Sequence, residues 1–308
     1  MALLWHSGDD DRDEWEPVLR RLIPGLDLRA APDLGDAREI DAALVWKPPQ
    51  GLLASLPNLK AVFSIAAGID ALLRDPTLPD VPLCRMVDAT LTAGMAEFVL
   101  LQVLKYHRGL DVFAAEQRER VWHWRRNRRP DERTVGVMGL GEIGAACART
   151  LKRHGFTVRG WSRSEKALEG VETYAGQGGM ARFLAGLDVL VCLLPLTPET
   201  EGVLDARLFA ALPEGARLVH VGRGRHLVVA DLLAALESGR LAHASLDVFP
   251  EEPLPEKSPL WGHPEVDVTP HIASTTDPES AGRFVAENYR RLGAGEPLLG
   301  VVDKGRGY

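Results

Sequence analysis

Apolar residues in this chain fall in short clusters, separated by stretches whose apolar positions recur every three or four residues. Over residues 1 to about 88 the clusters are Leu3-Leu4-Trp5, Leu26-Asp27-Leu28, Ala42-Ala43-Leu44-Val45-Trp46 and Ala61-Val62-Phe63-Ser64-Ile65, which read as strands. Between the first two, Glu14 to Leu22 carries apolar residues at helical spacing. Strands alternating with helices predict a parallel α/β sheet. The acidic run from Asp9 to Glu14 reads as the solvated start of that helix, where negative charge complements the helix dipole.

Thr90 to about Glu119 predicts one long helix or two stacked ones, with Met95, Val99, Val103 and Leu104 on one face. The segment Arg118 to Pro130 interleaves arginines with Trp122 and Trp124 and reads as a surface loop or subunit contact. From Thr134 the alternation restarts, with strands expected at 134–138, 156–161, 188–194, 217–222, 243–248 and 266–269. Helices fall between most of them, such as Asp205 to Leu212 and Val229 to Ser238, which predicts a doubly wound sheet. Pro278 to Leu292 is the last helix, ended by Gly293 and Gly295, and Glu296 to Tyr308 reads as a loosely structured tail.

Composition narrows the class. A chain of 308 residues suits two domains, each with its own core. A net charge of −7 argues against a nucleic-acid binder, and the arginine-tryptophan segment does not overturn that. Acidic residues follow the first apolar cluster too soon for a secretory signal, and no apolar run is long enough to span a membrane. Three scattered cysteines (84, 147 and 192) without a C-x-x-C pair read as reduced, which points to the cytoplasm.

The chemistry begins at Val135 to Gly144, where an apolar run ends in glycines at 139, 141 and 144. Gly139 permits a tight turn, Gly141 lets a pyrophosphate approach the backbone, and Gly144 lets the following helix pack on its strand. Leu140, Glu142 and Ile143 complete this candidate dinucleotide loop. An NAD-preferring site places a carboxylate near the end of the next strand. Ser162-Arg163-Ser164 stands there instead, and two hydroxyls with a guanidinium suit a 2′-phosphate. NADP(H) is therefore the preferred cofactor, with NAD(H) second.

Four further segments each follow a predicted parallel strand, where open α/β sheets bind ligands: Cys192 to Thr200, His220 to Arg225, Ser245 to Pro255 and Val268 to Ser274. The ordered set G-x-G-x-x-G, L-P-L-T-x-x-T, G-R-G, D-V-F-x-x-E-P and T-P-H resembles the D-isomer-specific 2-hydroxyacid dehydrogenases. Trp-Ser-Arg-Ser and the loop Trp46-Lys47-Pro48-Pro49 make it most like their glyoxylate/hydroxypyruvate reductase A branch.

That resemblance implies a catalytic trio. Arg223 would bind the substrate, His271 would donate the proton, and Glu252 would orient His271 and favour its imidazolium form. From the residues alone Arg225 competes with Arg223, and Glu251 with Glu252; family spacing selects the first of each pair. It also implies nicotinamide contact by Asp247 and cofactor lining by Leu194, Pro195, Thr200, Val221 and Gly222. Trp46, Lys47, Ala67, Gly68 and Ile69 would join Arg223 and His271 around the substrate.

The implied fold is two Rossmann-like or flavodoxin-like α/β domains with parallel sheets. The cofactor domain, residues 99–284, would be inserted into a substrate domain of 1–98 plus 285–308, with the active site in the cleft between them. The implied activity is NADPH-dependent reduction of glyoxylate, hydroxypyruvate or similar 2-keto acids to 2-hydroxy acids by a cytoplasmic homodimer. No metal, nucleic acid or membrane is expected to take part. Alternatives are a dehydrogenase for a bulkier 2-hydroxy acid and an NAD(H)-sensing corepressor-like binding protein.

Overall fold

The computed structural model describes residues 2–305. It divides into two compact units, one running to Leu91 and resuming at Thr276, the other spanning Thr92–Thr275.

The first unit holds β1 (Ala2–Ser7), α1 (Arg12–Leu22), β2 (Asp27–Ala30), β3 (Ile40–Trp46), β4 (Ala61–Ser64), α2 (Asp70–Leu73) and β5 (Leu83–Cys84). Its strands pair in parallel in the order β2-β1-β3-β4-β5, the flavodoxin-like arrangement. Successive side chains alternate between faces. Leu3, Trp5, Leu44 and Phe63 therefore bury against Trp15 and Leu19 of α1, while Leu4, Ala43, Val45 and Val62 form a second core with Leu53. Asp11 caps α1 by accepting from the Asp13 amide, so the acidic run does start a helix.

The last helix is Pro278–Ala294; Gly293 lies within it, and Gly295, at φ 67°, ends it. Its Ala281, Val285 and Tyr289 share a core with Trp15 and Leu19. Ala96, Val99 and Val103 instead belong to the core of the second unit. The joins consequently fall at 91/92 and 275/276, earlier than the sequence suggested.

The expected loose tail needs correction. Gly300 accepts from the Arg85 amide at 2.9 Å, Val302 donates to Leu83 at 2.8 Å, and Val301 bridges antiparallel to Cys84. Val302 is buried. The end of that expected tail, residues 306–308, lies outside the described residues.

The expected long helix is two, α3 (Ala89–His107), whose first residues precede the join at 91/92, and α4 (Leu110–Glu119), separated at Gly109, whose φ of 69° cannot continue a helix. Then follow β6 (Thr134–Met138), α5 (Glu142–Arg153), β7 (Thr157–Ser162), β8 (Glu172–Ala175), α6 (Gly176–Leu184), β9 (Val189–Cys192), α7 (Ala206–Ala211), β10 (Ala216–His220), α8 (Val229–Glu237), β11 (Leu241–Leu246) and β12 (Val266–Val268). All pair in parallel, in the order β12-β11-β10-β9-β6-β7-β8. Strand order reverses between β6 and β9, and that is where such sheets open a ligand crevice. A buried polar cluster fastens α3 to the outer strands. Ser245 contacts Tyr106 (2.6 Å), Gln102 (2.9 Å) and Asp267 (2.8 Å), and Lys105 pairs with Asp267.

Candidate active site

The glycine loop leaves β6 at the reversal point. Gly139 has φ 108°, and a Cβ there would stand 2.7 Å from the Leu193 carbonyl oxygen. A Cβ on Gly144 would meet the Gly139 oxygen at 1.8 Å, so α5 can sit this close to its strand only with glycine at that position. Gly141 differs from both, since a Cβ there would meet nothing within 4 Å. Its backbone is open on that side, next to the first turn of α5, whose N–H groups have no intrahelical acceptors. This cradle fits a pyrophosphate. Leu140 is buried and Ile143 packs on the core, while Glu142 is exposed.

Ser162, Arg163 and Ser164 lie at the end of β7, but they do not act alike. Ser162 is buried and donates its hydroxyl to the Ser164 carbonyl at 2.7 Å, so it braces the turn. Arg163 and Ser164 are exposed. After β9, Leu194 is buried, and Thr200 closes the next turn by donating to the Pro195 carbonyl at 2.7 Å and accepting from the Thr197 amide at 2.8 Å.

After β10, Val221 and Gly222 are buried and Arg223 is half-buried, its Nη1 donating to the Gly222 carbonyl at 2.9 Å. Arg225 is exposed and pairs with Glu201 at 2.6 Å. Between these arginines Gly224 presses against the chain after β11; its Cβ would fall 1.8 Å from the Phe249 carbonyl carbon. The arginine turn is thus locked onto the segment that carries the glutamates.

In that segment Glu252 accepts from the Phe249 amide at 3.0 Å through Oε1 and meets His271 Nδ1 at 2.9 Å through Oε2. Glu251 is exposed. The carboxylate contact leaves Nε2 as the ring nitrogen turned to other partners. The side chain of His271 is 34% exposed, so a small molecule can reach the ring. His271 adopts φ 56°, a left-handed conformation uncommon outside glycine.

Asp247 holds it there. The Asp247 carboxylate, 1% exposed, accepts from Thr269 Oγ1 (2.6 Å) and from the amides of Ile272 and Ala273 (both 2.9 Å). Its carbonyl accepts from the His271 amide at 2.9 Å. This anchoring role is one the sequence did not suggest, although an acidic residue ending a buried strand is a signal that its carboxylate must find donors.

The expected substrate residues of the first unit form two groups. Asp9 accepts from Trp46 Nε1 at 2.8 Å and pairs with Lys47 at 3.2 Å, and the lysine lies 5.2 Å from the Trp46 ring. Ala67 and Gly68 are half-buried between β4 and α2. Ile69 sits in the core at 3% exposure, so what it can offer a ligand is main chain. The Ala66 carbonyl that opens this loop is braced by the Ser64 hydroxyl at 2.8 Å.

All three cysteines are buried, and burial pushes each thiol up to about 12. Among the described residues no helix is long and apolar enough to cross a membrane.

The chain is similar to known proteins over its whole length. Glyoxylate/hydroxypyruvate reductase A of Yersinia enterocolitica is 41% identical and that of Serratia proteamaculans 43% identical, each over the whole of both chains. A D-isomer specific 2-hydroxyacid dehydrogenase from Xanthobacter autotrophicus, solved with NADPH and MES, superposes with a TM-score of 0.96 at 48% identity, covering 100% of this chain and 99% of that one. The NADPH-dependent glyoxylate/hydroxypyruvate reductase of Sinorhizobium meliloti, solved with NADP and sulfate, gives a TM-score of 0.94 at 40% identity over 100% and 99%. Residues 100–273 match the family model described as the NAD binding domain of the D-isomer specific 2-hydroxyacid dehydrogenases. The chain therefore belongs to the D-isomer specific 2-hydroxyacid dehydrogenase family of NAD(P)-dependent oxidoreductases.

Proposed function

We propose that this protein reduces small 2-keto acids, glyoxylate and hydroxypyruvate first, with NADPH as hydride source. The observation that carries the reading is the Glu252–His271 pair at 2.9 Å, one loop away from a half-buried arginine. Full-length identity to glyoxylate/hydroxypyruvate reductases and the NADP(H) bound in similar structures support the substrate and the cofactor.

The glycine loop from Gly139 to Gly144 would hold the pyrophosphate. Arg163 and Ser164 would take the 2′-phosphate, and the Leu194, Pro195, Val221 and Gly222 loops would line the nucleotide. The free lone-pair capacity of Asp247 would serve the nicotinamide amide. When bound, the nicotinamide supplies the hydride. The chain's residues handle the charge. Arg223 engages the substrate carboxylate and keto oxygen, which fixes the carbonyl and stabilises negative charge growing on its oxygen. His271 gives the proton to that oxygen, and Glu252 holds the ring and balances the imidazolium. Trp46, Lys47 and the backbone at Ala67 to Ile69 are our candidates for substrate binding in the first unit, with Asp9 holding the first two.

We place the enzyme in the cytoplasm as a homodimer, for which the exposed Trp122 and Trp124 (95% and 82% exposed) offer apolar contact area. Mixing purified protein with NADPH and a panel of 2-keto acids tests the activity by loss of NADPH absorbance. Glyoxylate and hydroxypyruvate should turn over fastest. No turnover across the panel, with NADPH still bound, would refute the reading. Arg163→Ala should weaken NADPH roughly tenfold and leave NADH unchanged, as loss of one charge-assisted contact predicts.

A further inference from the structure

Two buried histidines flank the arginine turn. His220 ends β10 and is 0% exposed; His226 is also 0% exposed. His220 Nε2 meets the Arg223 carbonyl at 2.9 Å, and the Arg223 amide meets His226 Nδ1 at 3.1 Å. Both main-chain groups of one residue are thus held by imidazoles. His226 Nε2 reaches on to the Pro195 carbonyl at 3.2 Å, the same carbonyl that Thr200 binds.

These partners fix the tautomers. A carbonyl only accepts, so His220 must carry its proton on Nε2, which leaves Nδ1 bare. An amide only donates, so His226 Nδ1 must be bare and Nε2 protonated. Both rings are therefore neutral Nε2–H forms. Burial, then the neighbouring His226, holds the His220 imidazole down at about 3, so its charge state is constant through the working pH range.

Cys192 lies beside them, and the three side chains come within 4.8 Å, close enough to suggest a metal. The hydrogen bonds argue otherwise. Three of the four imidazole nitrogens are committed to main-chain groups, which leaves a thiol held up at about 12 and the bare His220 Nδ1. Structural sites for such metals want four donors.

We propose that His220 and His226 are positioning residues: they clamp the backbone of Arg223 so that its guanidinium meets the substrate carboxylate in one orientation, and His226 couples that orientation to the Leu194–Pro195 cofactor loop. The geometry makes the assignment specific. His220 hydrogen-bonds the Arg223 carbonyl, so its loss should be felt first by the keto acid. His226 touches both Arg223 and the Leu194–Pro195 loop, so its loss should be felt by keto acid and cofactor together. Gly224, wedged against Phe249, fixes the far side of the same turn. The inference rests on Arg223 being the substrate arginine.

The experiment compares His220→Leu, His220→Gln, His226→Leu and Arg223→Ala. Glyoxylate and NADPH kinetics are read alongside hydrogen exchange of the segment 221–224. The glutamine amide can stand where Nε2–H stood, which makes His220→Gln the rescue. Loss of one buried hydrogen bond predicts about a tenfold rise in glyoxylate KM for His220→Leu, with NADPH KM within about twofold of wild type. His220→Gln should recover most of that loss, and His226→Leu should raise both KM values. Exchange of 221–224 should quicken in both leucine variants, and that readout needs no turnover. An unchanged glyoxylate KM in His220→Leu, or a glutamine variant as poor as the leucine one, overturns the clamp. If Arg223→Ala keeps wild-type kcat/KM, the substrate reading fails instead; unchanged exchange in the leucine variants would then remove the clamp as well.

Discussion

His271 Nδ1 and Glu252 Oε2 stand 2.9 Å apart, and each is held from behind by backbone. The Phe249 amide fixes the other oxygen of Glu252, and the Asp247 carboxylate gathers the Thr269 hydroxyl before His271 and the Ile272 and Ala273 amides after it. A loop histidine at φ 56° becomes a defined group only because buried donors and acceptors over-determine it. His271→Ala should lower kcat by about 10²–10⁴, the usual scale for a general acid, and leave NADPH affinity unchanged. Glu252→Gln keeps the Phe249 contact but loses the charge, and should cost roughly tenfold in kcat. Steady-state kinetics with a separate NADPH titration check both. A His271 variant of normal kcat would remove it from the proton step.

The two arginines of the turn should behave oppositely. Arg225 is paired with Glu201 in the open, and exposed pairs contribute about 1 kcal/mol or less. Arg225→Ala should therefore leave kcat/KM within about twofold of wild type, since nothing is lost but a surface pair. Arg223→Ala should lower kcat/KM for glyoxylate by about 10² or more, the scale of a lost oxyanion-stabilising group. Equal losses would contradict the assignment.

Gly141 and Gly144 separate binding from folding. A methyl at Gly141 meets no protein atom, so Gly141→Ala should leave Tm unchanged while weakening NADPH. Gly144→Ala drives a methyl into the Gly139 carbonyl and should cost about 1–3 kcal/mol of stability, as overpacking does. Thermal melts with and without NADPH distinguish them. A Gly141→Ala protein with normal NADPH affinity would show that the open face is not the phosphate cradle.

Stability should fall in mild acid. The folded His220 stays neutral down to about 3, whereas in the unfolded chain it takes a proton near the ordinary 6.5. The unfolded state thus binds more protons below 6.5, and the contribution of His220 is present above that pH and is lost as pH falls. At about 1.4 kcal/mol per unit, some 2 kcal/mol should go between pH 6.5 and 5. His107 and His243 are also lowered by burial and add to the same slope. Denaturant midpoints across this range measure it, and His220→Gln should flatten it. An unchanged slope in that variant would remove His220 as a source.

What could be read in the sequence was what is local. The glycine loop and each strand-end motif are contiguous, and their strands are rich in apolar residues, with β9 (Val189–Cys192) apolar throughout, because parallel sheets bury both faces. What escaped was non-local or weak. Strand β8, Glu172–Ala175, is a partly exposed edge with no apolar run, and β5 is only two residues long, paired with β4 and bridged by Val301 from more than two hundred positions away. Ser162 looked like one of three equal phosphate ligands; only the fold shows its hydroxyl turned inward. Asp9 belonged by pattern to a helix start, yet its carboxylate holds Trp46 and Lys47. His220 and His226 gave no signal beyond flanking G-R-G, since a clamp on backbone groups has no sequence spacing of its own.

The central claim, hydride reduction of a small keto acid from NADPH, is tested most directly by tracing the hydride. NADPH deuterated at both C4 positions is incubated with the protein and glyoxylate, and the product is weighed by mass spectrometry. Glycolate carrying one deuterium on the carbon that bore the carbonyl is the predicted result, lost in His271→Ala. Absence of glycolate with NADPH bound, or glycolate without deuterium, would contradict it.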